Sequence, residues 1–297
     1  MRLRAPVPND AEAVLAVLVA RDMVDQGAPD YTLQDLHDEW RGSDVDLVRD
    51  AVVVESDDGA VVGYAIIRSP GTLAAVSPEH EGRGIGSRLL AWAEQRDRER
   101  GRDRHRQWIA AGNVRASNLL QGAGYAKARS YWRMSRWLED LPAGVAAPAG
   151  VRLRPVDLSA DARALHALDV LSFTGNPDYE PDSFEAFYNE HLRAHDFDAE
   201  LSCVAEQGEK MVGFLLARRW SAESAGFVDV LGVDPGVRGR GLGTALLLDA
   251  FSRFAAAGLR EAQLGVASDN PRALRLYERV GMTTRHRADV YERPIAA

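Results

Sequence analysis

The sequence predicts an α+β protein of two tandem domains, each a mixed, mainly antiparallel sheet flanked by helices. Three observations carry this expectation. The chain has 297 residues, more than one typical domain of roughly 100–150 residues. It contains an internal repeat, and within each repeat strand-like alternation is interleaved with helical periodicity. Gly82-Arg83-Gly84-Ile85-Gly86 recurs as Gly239-Arg240-Gly241-Leu242-Gly243, while Asn113, Ala116 and Gly124 recur as Asn270, Ala273 and Gly281, all at a shift of 157 positions. Such self-similarity decides the architecture before any local reading. Nearer the start of each copy the shift is 150: Arg2-Leu3-Arg4 recurs as Arg152-Leu153-Arg154, and Val62-Gly63 as Val212-Gly213. The second copy therefore holds seven extra residues, around Trp220 to Gly226.

Between the copies, residues 141–150 are Pro, Gly, Ala, Leu and Val without charge or period, and read as a linker with its midpoint near 145. The expected domains are 1–140 and 151–297. In the second copy, Val151 to Pro155 reads as a strand and Ala160 to Phe173 as an amphipathic helix with Leu165, Leu168 and Leu171 inward. Ser183 to Arg193 reads as a second helix. Leu201 to Ala205 and Met211 to Arg218 form a strand pair around Gly208. Val228 to Val233 is a short strand, Thr244 to Ala257 an apolar helix and Ala262 to Val266 a strand. Pro271 to Val280 is a helix with Pro in its first turn, and a closing strand follows.

Composition narrows the function classes. The net charge of −8 argues against a nucleic-acid binder, which needs a basic face. Cys203 is the only cysteine, so no intramolecular disulfide forms; its strand-like setting predicts a buried, inert thiol. No apolar run approaches the roughly 20 residues that span a bilayer. Behind Met1-Arg2-Leu3-Arg4 there is no apolar stretch of signal-peptide type, so a cytoplasmic location without a membrane partner is expected. The histidines, among them His166, His191 and His195, lack metal-ligand spacing, and no metal is expected.

The chemistry is carried by Leu231-Gly232-Val233-Asp234-Pro235-Gly236-Val237-Arg238-Gly239-Arg240-Gly241-Leu242-Gly243-Thr244. A strand runs into a turn whose glycines let successive N–H groups converge, and a helix begins at once. That arrangement is an anion nest at a helix N-terminus, suited to a pyrophosphate, with Arg238 and Arg240 beside it. A P-loop would need Gly-Lys followed by Ser or Thr, and a dinucleotide fingerprint would need its glycines in the first strand–helix turn. Neither condition holds.

Arg-x-x-Gly-x-Gly after such a strand resembles motif A of the GNAT superfamily of N-acetyltransferases. Asn270 to Met282, running Asn-Pro-Arg-Ala-Leu-Arg-Leu-Tyr-Glu-Arg-Val-Gly-Met, resembles its motif B. The resemblance implies acetyl-CoA as co-substrate and transfer of its acetyl group to a primary amine. It also implies a splayed strand pair, against which pantetheine lies as a pseudo-strand. Leu231 and Val233 would offer main-chain groups to it, and one N–H would polarise the thioester carbonyl. Arg238, Gly239, Arg240, Gly241, Gly243 and Thr244 would hold the diphosphate, Asn270 the pantetheine or diphosphate arm, and Tyr277 would protonate the departing thiolate. Many members place a general-base Glu four residues before Leu231, where this chain has Phe227. Asp229, on the same strand face, is the candidate base, acting directly or through water; its alternative roles are to bind a cationic substrate or to cap the structure.

In the first copy the matching cofactor residues are Val76, Gly82, Gly84, Gly86 and Asn113. Glu81 stands in the place of Arg238, Leu120 in that of Tyr277 and Thr72 in that of Asp229. The first copy is therefore expected to be degenerate: a carboxylate beside a pyrophosphate is repulsive, and no acid remains. Phe173-Thr174-Gly175-Asn176-Pro177-Asp178 resembles the substrate loop of family members that acetylate a cysteinyl glycoside. The acidic stretch Asp178, Glu180, Asp182 and Glu185 either meets a cationic amine or is a solvated helix start. Tyr179, Phe184, Phe187 and Tyr188 either line a pocket or fill the core. The expected partner is a small-molecule amine; aminoglycosides and polyamines, a protein amine, a non-catalytic acyl-CoA sensor and a homodimer stay open.

Overall fold

A computed structural model describes residues 1–41, 45–68, 71–141, 147–176, 179, 181–220 and 224–295. The chain forms two compact units, Met1–Tyr131 with His286–Ala297, and Trp132–Arg285. In chain order the first copy supplies β1 (Arg2–Arg4), α1 (Ala11–Asp25), α2 (Leu33–Arg41), α3 (Leu47–Asp50), β2 (Ala51–Glu55), β3 (Val61–Ile67) and β4 (Thr72–Val76). It continues with α4 (Ile85–Glu99), β5 (Arg104–Ala110), α5 (Val114–Gly122) and β6 (Ala126–Trp137). The second supplies β7 (Val151–Pro155), α6 (Leu158–Phe173), α7 (Phe184–Phe187), a π-helical turn (Tyr188–Leu192), β8 (Cys203–Gln207), β9 (Lys210–Trp220) and β10 (Ala225–Val233). It ends with α8 (Leu242–Ala256), β11 (Glu261–Ala267), α9 (Pro271–Arg279) and β12 (Thr283–Pro294).

Both units use one plan. In the first unit β1 to β4 pair antiparallel, β4 pairs parallel with β5, and Ala288–Pro294 of β12 pairs antiparallel with β5. In the second, β7 to β10 pair antiparallel and β10 pairs parallel with β11. The β6 residues of this unit lie beside β11. The helical connection between β10 and β11 is the crossover that parallel pairing requires.

The compact units do not coincide with the domains expected at 1–140 and 151–297. The later part of each copy's closing strand, from Trp132 in β6 and from His286 in β12, belongs to the other copy's unit. Burial explains why: Tyr291, 3% exposed, packs with Leu90, Leu120 and Tyr125 in the first unit, whereas Met134 and Leu138 pack with Leu215 and Phe254 in the second. Of the expected linker, residues 142–146 lie outside the described residues.

Period-two alternation lays two cores on the second sheet. Phe214 and Leu216 face α6, with Leu165, Leu168, Phe187 and Leu192. Cys203, Leu215 and Ala217 face α8, with Leu246, Phe251 and Phe254. Leu171, expected inward, is 48% exposed. Cys203 is buried, and burial raises its thiol pKa well above the usual range. The repeated Arg-Leu-Arg has a structural cause: Arg4 bridges Asp10 and Glu55, and Arg154 bridges Asp161 and Glu206, so each copy ties its first strand to its first helix and its neighbouring strand. The seven extra residues lengthen β9 and β10 at their hairpin end, where Trp220 stacks on Phe227 at 4.3 Å.

Candidate active site

The strand splay expected from the resemblance is present. β10 pairs with β11 only from Ala225 to Val228, although β10 continues to Val233 and β11 to Ala267. Beyond Val228 the β9 side remains paired. Asp234 N–H donates to Val212 O on that side at 3.0 Å, so by strand alternation Gly232 and Val230 also turn their main chain toward β9. Leu231 and Val233 turn theirs into the gap.

The gap opens onto the Gly-rich turn. Gly239 and Gly241 have φ of 79° and 85°, the left-handed region that side chains resist. Gly241 is the N-cap of α8, and the first amide to bond back along the helix is Ala245, to Gly241 O at 3.0 Å. Among the described residues, the N–H groups of Leu242, Gly243 and Thr244 find no acceptor, as helix N-termini dictate. They form, with the positive end of the helix dipole, a cradle fitting a diphosphate. Gly243 has a packing reason as well: a Cβ there would meet Leu276 Cδ2 at 3.1 Å. Arg238 does not point its guanidinium at the nest. It donates from Nε to Val233 O at 3.1 Å and from a terminal nitrogen to Ser172 O, tying the turn to the last turn of α6. Arg240 is exposed.

Asn270 caps α9, its Oδ1 accepting from Ala273 N–H at 3.1 Å. Its amide nitrogen remains to donate. One helical turn after the cap region, Tyr277 packs against the core cluster that also contacts Leu231 and Val233. Its hydroxyl makes no hydrogen bond among the described residues, and burial pushes its pKa up to about 12. The phenol therefore stays protonated at neutral pH and is available as a donor.

Asp229 sits where the β9–β10 register shifts, between Val228 and Val230. A bulge of this kind re-aims a side chain. Its carboxylate lies 2.7 Å from His191 Nδ1 and 3.1 Å from Arg218 Nε. Arg218 is also paired with Asp196 at 3.2 Å. Burial alone would raise the Asp229 pKa, but the His191 hydrogen bond and the Arg218 charge hold it below the usual carboxylate range. A carboxylate so engaged is a poor proton acceptor, which departs from the expectation of Asp229 as the base. Phe227, in the place of the family's glutamate, stacks on Trp220, with the Arg133 guanidinium 4.8 Å from its ring centre.

The segment between α6 and β8 supplies groups that sequence reasoning did not assign. Tyr179 donates to Asp169 Oδ2 at 2.8 Å, and His191 lies on the π-helical turn, 5.0 Å from the Phe187 ring. Phe187 is core, and Phe184 carries Arg163 over its face at 4.6 Å. Glu185 lies in the first turn of α7 and the Asp182 carbonyl meets His166 Nε2 at 2.9 Å. Pro177, Asp178 and Glu180, part of the expected substrate loop and acidic stretch, lie outside the described residues.

The first unit keeps the cradle and has no counterpart of Tyr277. β4 and β5 pair only at Thr72–Leu73 with Gln107–Trp108, and Ser77 N–H donates to Val62 O, so Val76 turns its main chain into the gap. Gly82 and Gly84 have φ of 72° and 76°, and Asn113 caps α5 as Asn270 caps α9. Glu81 is not the bare repulsive charge the sequence suggested: it pairs with Arg21 and, at 3.2 Å, with Arg115. A cavity of about 490 Å³, lined by Val76, Gly82, Gly84, Gly86 and Asn113 among others, lies at this first-unit cradle. Leu120, where Tyr277 would match, is buried and has no proton to give. Thr72 is fully buried.

Comparison with known proteins gives the same reading. A family profile described as the acetyltransferase (GNAT) family matches residues 20–125 and 163–282. A mycothiol acetyltransferase of Actinosynnema mirum is 32% identical over 95% of this chain and 95% of its own length. One from Streptomyces avermitilis is 33% identical over 98% and 94%. Among solved structures, a GCN5-related N-acetyltransferase from Sphaerobacter thermophilus superposes with a TM-score of 0.86 at 28% identity, covering 100% of this chain and 96% of that one. A tandem GNAT protein from the clavulanic acid biosynthesis pathway shares the fold, with a TM-score of 0.77 at 15% identity over 100% and 99%. Two cradles, two splayed strand pairs and a profile matched twice lead to one conclusion: the chain belongs to the acetyltransferase (GNAT) family, as an acetyl-CoA-dependent N-acetyltransferase with two tandem copies of the fold.

Proposed function

We propose that the second copy is the catalytic one and that it transfers acetyl from acetyl-CoA to the primary amine of a small molecule by direct attack. The observation that carries this is the coincidence, in one unit, of an open cradle at the start of α8, gap-facing main chain at Leu231 and Val233, and the unpartnered hydroxyl of Tyr277. When bound, acetyl-CoA supplies an activated thioester. The amides of Leu242, Gly243 and Thr244 hold its diphosphate, and Asn270 Nδ2 stands ready to donate to the same arm. Leu231 and Val233 align its pantetheine, and one of their N–H groups stabilises charge on the carbonyl oxygen. Tyr277 gives its proton to the departing thiolate. The first copy, with Leu120 in place of the tyrosine, is a non-catalytic partner that retains a cofactor-shaped cleft.

A second reading, a cysteinyl glycoside as the acceptor, is favoured by the mycothiol acetyltransferase relatives. Against it stands Phe227, which leaves no carboxylate at the position where many members of the family have a glutamate. One experiment separates the readings: acetyl-CoA is incubated with a cysteinyl glycoside, an aminoglycoside and a polyamine, and free CoA thiol is followed. Turnover of the cysteinyl glycoside well above the others establishes the second reading. Thiol release with none of them, while an acceptor lysine peptide is acetylated, overturns the small-molecule assignment.

A further inference from the structure

We infer that His191 is the catalytic base of the second copy, taking the proton from the acceptor ammonium at Nε2, with Asp229 as its positioning residue. The inference rests on the second copy being the acetyltransferase. It starts from the observation that Asp229, the carboxylate nearest to Leu231 in sequence on β10, is already engaged by the His191 ring and the Arg218 guanidinium.

The arrangement has three parts. His191 Nδ1 meets Asp229 Oδ2 at 2.7 Å, which fixes Nδ1 as the protonated nitrogen of the neutral ring and leaves the lone pair on Nε2. No hydrogen bond to Nε2 occurs among the described residues, and the side chain keeps 17% of its surface exposed, so the ring is held in place without being sealed off. Both partners sit on local irregularities: Asp229 at the β-bulge, two residues before Leu231, and His191 on a π-helical turn, a distortion common where a helix presents a functional group. Arg218 closes the third side. It binds Asp229 and Asp196 and reaches Glu190 O, so the carboxylate stays charged and the dyad cannot drift.

The charged surroundings make His191 a stronger base than a free imidazole. Burial alone would lower the His191 pKa, but Asp229 by hydrogen bond and charge, together with Glu190, outweigh burial and Arg218, and the imidazole lies above its ordinary value. From α6, Asp169 faces the same ring, its pKa raised by burial and moderated by Tyr179. The reaction balances as follows. His191 Nε2 takes one proton from the ammonium, and the free amine attacks the thioester carbonyl. The C–N bond forms and the C–S bond breaks as Tyr277 protonates the sulfur. The nitrogen sheds its second proton, restoring Tyr277, and His191 releases its proton to solvent.

The test is His191→Asn, which keeps a donor to Asp229 and removes the Nε2 base, measured with the fastest amine of the panel above. The expected result is a fall in kcat/KM at pH 7 of about 10²–10⁴-fold with unchanged acetyl-CoA affinity. The loss should shrink as pH approaches the amine's own pKa. Asp229→Asn should move the acidic limb of the kcat/KM profile to lower pH, because the imidazole loses its anionic partner. Independently of any acceptor, diethylpyrocarbonate should modify His191, with a pH dependence that follows the same limb in the wild-type protein and shifts down in Asp229→Asn. A His191→Asn enzyme with the wild-type rate and profile overturns the inference, as does a His191 modification rate insensitive to Asp229. If Tyr277→Phe is also silent, the assignment of the second copy itself has failed; if Tyr277→Phe is slow while His191→Asn is normal, only the base is wrong.

Discussion

Replacing Tyr277 by Phe is expected to lower kcat by about 10²–10⁴-fold while leaving acetyl-CoA affinity almost unchanged. The ring packs against the core cluster beneath Leu231 and Val233, and Phe keeps that packing. Only the hydroxyl is lost. No neighbouring side chain is hydrogen-bonded to it among the described residues, so its removal leaves no buried partner stranded and fold stability should hold. The loss should be smaller with a thioester whose thiol is more acidic, because a better leaving group needs less protonation. Steady-state kinetics with two thioesters of different thiol acidity, beside calorimetric titration of acetyl-CoA, makes the check. Normal turnover on an amine that the wild type acetylates would remove Tyr277 from the mechanism. The converse change, Leu120→Tyr, is expected to create no activity in a Tyr277→Phe background, since Thr72 supplies no counterpart to Asp229.

Gly241→Val should abolish turnover by a different route. At φ 85° a β-branched residue is strained by roughly 1–3 kcal/mol, so the turn that starts α8 shifts and its open amides no longer converge. No neighbour lies within 4 Å of the added Cβ, so the damage comes from the backbone conformation rather than from a clash with the core. Gly84→Val in the first unit imposes the same strain at φ 76° and is the internal control: a similar fall in Tm, with turnover retained. Thermal melts and acetyl-CoA turnover on both variants decide it. Equal loss of activity from the two, with folding intact, would mean that the first cradle is also required for the reaction.

The cradles were legible in the sequence because they are local: glycines at fixed spacing after a strand and before a helix leave few backbone solutions. Asn113 and Asn270 stood out through the repeat and the resemblance, whereas their capping of α5 and α9 is seen only in the structure. The His191–Asp229 pair was not legible. Its members are 38 residues apart, and they meet only because a one-residue register shift turns Asp229 and a π-helical turn presents His191, neither of which has a sequence signature. Glu81 misled for a related reason: its charge was read alone, whereas Arg21 lies 60 positions earlier on α1. The compact units differ from the sequence copies because the closing strands of the two copies carry the same alternation. Sequence pattern says that each will join a sheet, and cannot say which.

That strand arrangement has a consequence for biogenesis. Arg104 and Glu292, ion-paired at 2.7 Å between β5 and β12, are 188 residues apart in the chain. As the polypeptide leaves the ribosome, β5 keeps an open edge until the residues after His286 have been synthesised. Pairings so distant in sequence form slowly, and an unpaired edge invites association with other chains. The nascent first unit thus needs its own helices, or a chaperone, to shield that edge throughout translation of the second copy.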